Sequence, residues 1–148
     1  MQIKVADFED IYDIFEWRND PLTLAMFINE NKVSWKEHEE WFKNILENST
    51  KKLYIGTIDN QKIGICRFDY DKFSTSSEIS INMNPLMRGK KISFQFLNEA
   101  IKKYKEINNS TLKATVKREN FASIKIFKKS AFIIEDQNEK YVFLKQEI

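Results

Sequence analysis

The stretch richest in possible chemistry is Arg88-Gly89-Lys90-Lys91-Ile92-Ser93. It leads directly into Phe94, Leu97, Ala100, Ile101 and Tyr104, whose spacing is that of one apolar helix face. A loop that opens a helix offers unpaired backbone N–H groups and the positive end of the helix dipole, and three cations stand beside them here. That combination suits a phosphate or diphosphate. One glycine makes a weak motif, so an ordinary solvated loop is the plain alternative. A second cluster lies earlier, in Trp17-Arg18-Asn19-Asp20-Pro21 and Ser34-Trp35-x-x-His38-x-x-Trp41-Phe42. Arg18 has the planar fork that binds two oxyanion oxygens at once, or it pairs with Asp20 or Glu16. His38 shares a helix face with Trp35, Trp41 and Phe42, where it is either a packed imidazole or a ligand contact. Cys66 sits in an apolar run beside Ile63 and Ile65 and reads as inert packing.

These residues need elements to hold them. Glu78-Ile79-Ser80-Ile81-Asn82-Met83 alternates with period two, as a half-buried strand does, and Asn84-Pro85 ends it. Residues 1–5 suit an edge strand. Asp7 is placed to cap a helix over 8–18, which Asp20-Pro21 ends; the apolar segment 22–28 has no clear assignment. Ser34-Trp35-Lys36-Glu37 is a capping box, opening a helix over 35–48. Residues 52–58 and 61–70 form a hairpin about Asp59-Asn60, extended by 77–83. Thr111–Val116 alternates as a strand, Glu119-Asn120 opens a helix that ends near Ser130, and 131–135 with 141–145 close as a hairpin. The order is β-α-α-β-β-β-α-β-α-β-β, a mixed α/β (α+β) fold with helices on both faces of one sheet.

The 148 residues suit one domain, 1–148, and 42% apolar with 14% aromatic content argues for a folded globule. No window is apolar enough for a membrane helix, and Met1–Asp7 lacks the marks of a signal peptide. One cysteine excludes an internal disulfide and a cysteine-rich zinc site, and no His/Cys/Asp spacing supports a metal. A cytoplasmic protein without a membrane partner is the expectation. Residues 1–80 carry 10 Lys/Arg against 15 Asp/Glu, net −5, whereas 81–148 carry 14 against 7, net +7. That excess is smaller than a nucleic-acid binder's and fits a compact polyanion held by the C-terminal half.

With this order and loop, the whole chain resembles the GCN5-related N-acetyltransferase family. The family's loop reads Arg/Gln-x-x-Gly-x-Gly/Ala; here Lys91 replaces the usual Gly and Ser93 the usual Gly or Ala. Asn120 through Phe132 resembles the next element, Asn-x-x-Ala/Ser-x-x-x-Tyr-x-x-x-Gly-Phe, with Phe127 for Tyr and Ala131 for Gly. The Trp17 and Ser34 segments resemble acetyltransferases that act on amino-sugar nucleotides, such as a 4-amino-4,6-dideoxy sugar on UDP. Trp-Arg-Asn also occurs in transferases of ribosomal-protein N-termini and small amines.

The resemblance implies a central, mostly antiparallel sheet, acetyl-CoA as co-substrate and a small-molecule amine as acceptor, and it leaves a homodimer open. It implies acetyl-CoA in a gap between strands 78–83 and 111–116. The Met83 N–H would hold the pantetheine arm, with Ile81 or Asn82 facing the thioester oxygen. The diphosphate would lie on 88–93, that is Arg88, Gly89, Lys90, Lys91, Ile92 and Ser93. Asn120, Ser123 and Phe127 complete the cofactor side, and Lys128 or Lys129 reaches the 3′-phosphate. Glu78 is the implied general base, acting through water, unless it is a plain surface carboxylate. Arg18, Phe27, His38 and Trp41 would surround the acceptor. Phe127 cannot protonate the departing thiolate as Tyr would, which leaves that task to water, the ammonium proton, Tyr141 or Ser130. Two other functions stand beside this one: acetylation of a protein N-terminus, lysine or small amine, and a catalytically weak acyl-CoA-binding module.

Overall fold

A computed structural model describes residues 1–28 and 31–147. Seven strands form one sheet in the order β1-β2-β3-β4-β5-β7-β6. They are β1 (Gln2–Val5), β2 (Lys51–Ile58), β3 (Gln61–Asp71), β4 (Ser76–Met83), β5 (Thr111–Lys117), β6 (Ile133–Gln137) and β7 (Tyr141–Gln146). The helices are α1 (Ile11–Arg18), α2 (Pro21–Met26), α3 (Trp35–Glu47), α4 (Ser93–Lys105) and α5 (Phe121–Lys129). The β2–β3 turn puts Asp59 and Asn60 at φ 49° and 65°, the left-handed pair that a two-residue hairpin requires.

Every neighbouring pair is antiparallel except β4 and β5. That parallel pair holds for only three residues, Ser76–Glu78 against Thr111–Lys113. Beyond it β4 stays with β3 and β5 with β7, so the two strands part with unpaired edges facing each other. Strand alternation sorts the side chains to two cores. Tyr54, Cys66, Phe68 and Ile79 pack with Phe96, Leu97, Ile101 and Phe127 of α4 and α5. Leu53, Ile55 and Ile65 pack on the other face with Ile14, Trp17, Phe42 and Ile45 of α1 and α3. The start of α1 is fastened by Lys62, whose Nζ lies 2.8 Å from the carboxylates of both Asp10, fully buried, and Asp13.

Two elements differ from the sequence expectation. The first helix begins as a 3-10 turn over Phe8–Asp10, with Asp7 and Asp10 capping one another, and becomes α-helical only at Ile11. Asp20-Pro21 does not merely stop α1. Asp20 accepts from the Thr23 N–H (3.1 Å) and Pro21 takes the first helical position, where its missing N–H costs nothing, so the pair opens α2. The unassigned apolar segment is therefore a helix.

Candidate active site

The parting of β4 and β5 opens a cleft of about 820 Å³. Its floor is β3–β5, one wall is α1 and α2, and the other is the 87–93 loop with the start of α5. The Asn84 N–H donates to the Ile63 carbonyl of β3 (2.9 Å). Because amides alternate sides along a strand, those of Met83 and Ile81 point away from β3 and into the gap. This is where a peptide-like ligand finds an unused strand edge.

The loop has two left-handed residues, Gly89 at φ 75° and Lys91 at φ 60°. A glycine takes this conformation freely; Lys91 takes it at a cost of about 1–2 kcal/mol. Chain reversals of this kind turn successive amides to one side. The first turn of α4 has no side-chain cap, so those amides stay available as well. Gly89, Lys91, Ile92 and Ser93 line the cleft, whereas exposed Lys90 does not, its N–H donating to the Met87 carbonyl (3.4 Å). Arg88 also borders the cleft, but its Nη2 is committed to Asp20 (2.5 Å) and Thr23 (2.7 Å).

Asn120 caps α5 by accepting from the Ser123 N–H (3.2 Å), and both residues line the cleft. Phe127 borders it while packing edge-on against Phe132 at 5.0 Å. Lys128 lies outside the lining, and Lys129 lies over the Phe94 ring at 4.9 Å. Neither Tyr141 nor Ser130, the hydroxyls considered in place of the absent Tyr, lines the cleft. Ser130 is buried, its Oγ accepting from Asn98 at 3.1 Å.

On the α1–α3 side, Trp17 packs in the core, Arg18 enters the cleft, and Asn19 exchanges two 2.8 Å hydrogen bonds with the Val33 backbone. One three-residue piece thus anchors, presents and clamps. The Arg18 guanidinium lies 4.2 Å from the Trp41 ring centre, within cation–π range. Arg67, unremarked in the sequence, approaches the same ring at 6.0 Å and also lines the cleft. Burial pulls Arg18 below its usual pKa, and the like charge of Arg67 adds to this, against Glu37. Phe27 follows α2 and lines the same wall.

His38 needs a correction. It is fully buried and does not itself line the cleft, lying behind Arg18 and Trp41, which do. Its Nε2–H donates to the Ile11 carbonyl (2.8 Å) and Nδ1 accepts from Arg18 (3.1 Å), so it is a neutral imidazole that aims the guanidinium. Burial, then Arg18, holds its pKa below 6.5, against the Ile11 hydrogen bond. The unfolded state therefore binds a proton first, and stability falls as pH drops from 6.5 through the lower folded value. As this is the chain's single histidine, an NMR titration should place its midpoint below 6.5, and the melting temperature should decline over the same window.

Glu78 stands at the fork, the last residue of β4 paired with β5. It occupies a shallow recess beside the cleft, with Thr115 lining both and favouring its ionised form. Crowding by protein raises its pKa first and Asp69 adds to that, while Thr115 and Lys113 oppose. Asp69 is its cross-strand partner and is held by Arg67 at 2.6 Å. A carboxylate poised toward neutrality, one residue from the gap, is suited to accept a proton. Asn82 lines the cleft with a buried side-chain N–H that has no partner. The sequence clue to Arg67 was a charge at an inward register position beside Ile65.

A strand edge freed by a parting parallel pair, next to a left-handed loop that opens an uncapped helix, suits the peptide-like arm and the diphosphate of an acyl-coenzyme A. The comparisons agree. A model of the acetyltransferase (GNAT) domain matches residues 2–133, and the chain belongs to that family. It is 32% identical to an acetyltransferase, PseH, of Campylobacter jejuni, over 97% of this chain and 94% of the relative. The crystal structure of Campylobacter jejuni PseH with acetyl coenzyme A matches at a TM-score of 0.75 and 25% identity, covering 99% of each chain. The spermidine N-acetyltransferase of Vibrio cholerae with CoA and spermine shares the fold at a TM-score of 0.88 and 16% identity, covering 98% and 94%. The protein is an acetyl-CoA-dependent N-acetyltransferase. No described helix is long and apolar enough to cross a membrane, and no described cluster of ligating side chains suits a metal ion.

Proposed function

We propose that the chain acetylates the primary amine of a nucleotide-linked amino sugar, a UDP-linked 4-amino-4,6-dideoxy sugar, by direct attack in a ternary complex. The observation that carries the acceptor is the pair of guanidiniums, Arg18 and Arg67, meeting at the Trp41 ring inside the cleft. The two half-buried cations repel one another although Asp69 also holds Arg67 (2.6 Å), and a diphosphate arriving between them relieves that repulsion while taking forked hydrogen bonds. Trp41 and Phe27 offer faces for the uracil or the sugar's apolar side.

In this reading the amides of Gly89, Lys91, Ile92 and Ser93 hold the diphosphate of acetyl-CoA, and Lys91 adds charge. The Met83 amide holds the pantetheine arm. The Ile81 amide faces the thioester oxygen and steadies the negative charge that develops there, worth about 3 kcal/mol. The thioester supplies an activated acetyl group. The amine nitrogen forms the new C–N bond as the C–S bond breaks, and its proton passes through water to Glu78. Phe127 brings no acid, so the thiolate leaves unassisted or takes a proton from water or the ammonium. A single cytoplasmic domain belongs to the same proposal, as does a homodimer, for which the exposed edge strands β1 and β6 are available seams.

The test is inhibition. UDP should compete with the acceptor and not with acetyl-CoA. Arg18→Lys, which keeps the charge but loses the fork, should raise the acceptor KM about tenfold with the acetyl-CoA KM unchanged. Indifference to UDP would remove the nucleotide from the reading.

A further inference from the structure

Arg88 opens the cofactor loop, yet its side chain leaves that loop for the opposite wall. Nη2 lies 2.5 Å from Asp20 Oδ2 and 2.7 Å from Thr23 Oγ1, the N-cap and an inner residue of α2. The contact is partly open to solvent: the Arg88 side chain is 35% exposed and Asp20 19%, while Thr23 is buried. Asp20 is spent twice, on the Thr23 amide and on Arg88, and Arg88 holds its carboxyl below the usual range. Helix α2 has six residues, too few to be stable alone, and its Leu22, Thr23, Leu24 and Met26 line the cleft. At its far end the Ala25 carbonyl accepts from Lys117 of β5 (3.0 Å). The helix is thus strapped across the mouth, at one end from β5 and at the other from the coenzyme loop that follows β4.

We infer that Arg88 is a positioning residue for the acceptor: it pins α2 through Asp20 and Thr23, and so makes the acceptor wall depend on the geometry of the coenzyme loop. Acetyl-CoA on the Gly89–Ser93 amides fixes the root of Arg88 and with it the docked position of α2. By linkage the acceptor then strengthens coenzyme binding by the same factor. The inference requires α2 to be the acceptor's wall, as in the proposed function, but not that the acceptor is a sugar nucleotide.

The experiment measures amide hydrogen exchange in residues 22–27 with and without saturating CoA, in wild type, Arg88→Gln, Asp20→Asn and the double variant. CoA should slow exchange there in wild type and not in either single variant. CoA affinity should stay within about threefold, and the double variant should match the singles. With the UDP-linked amino sugar, either variant should raise acceptor KM about tenfold at little cost in kcat, and Arg88→Lys should recover part of the loss. If Arg88→Gln instead loses CoA affinity by tens of fold while Asp20→Asn changes nothing, Arg88 serves the diphosphate and the inference is overturned. The same holds if CoA leaves α2 exchange unchanged in wild type. Absence of turnover with the sugar strikes the proposed acceptor, while the exchange arm, which uses CoA alone, still decides on the strap.

Discussion

Glu78→Gln is expected to lower kcat by about 10²- to 10³-fold, with acetyl-CoA binding unchanged. An amine attacks a thioester only as the neutral base and must shed a further proton as the C–N bond forms. Among the carboxylates near the fork, Glu78 has the raised pKa and a Thr115 link to the cleft, whereas Asp69 is neutralised by Arg67 and Lys51. Since the base must be ionised, activity should fall as pH drops through the Glu78 pKa, at a midpoint above the ordinary 4.5. That limb should vanish in the Gln variant. A loss under threefold would assign the proton elsewhere.

Gly89→Pro is expected to weaken acetyl-CoA binding about 100-fold while leaving the melting temperature nearly unchanged. Gly89 holds φ at 75°, and a proline ring fixes φ near −65°, so the loop cannot keep its turn. The amide at 89 is lost as well. Forcing a backbone across that barrier costs about 3 kcal/mol, or a factor of about 100 in binding. The fold should not notice, since no atom lies within 4 Å of a Cβ added at 89 and the loop is exposed. Calorimetric titration with CoA beside a thermal melt separates the two quantities.

Much of this was legible in the residues because the pattern was local. Alternation over 78–83 and 111–116 set the strands, and the Ser34–Glu37 box set α3, where Ser34 does accept from the Glu37 amide. Helix α2 was missed because Asp-Pro reads equally as the end of one helix and the start of the next; only the three-dimensional cap distinguishes them. Arg88 and His38 were placed by sequence company, and each found a long-range partner instead, 68 and 20 residues away. Spacing carries no information about such pairs. Arg67 was hidden for the converse reason, a functional charge inside a strand otherwise read for its apolar face.

The most direct test of the account is a free-thiol assay with purified protein, acetyl-CoA and a UDP-linked 4-amino-4,6-dideoxy sugar. The expected result is CoA release that requires the sugar, matches it in stoichiometry and yields the 4-acetamido product by mass. Release with spermidine or a peptide N-terminus and none with the sugar would contradict the acceptor assignment.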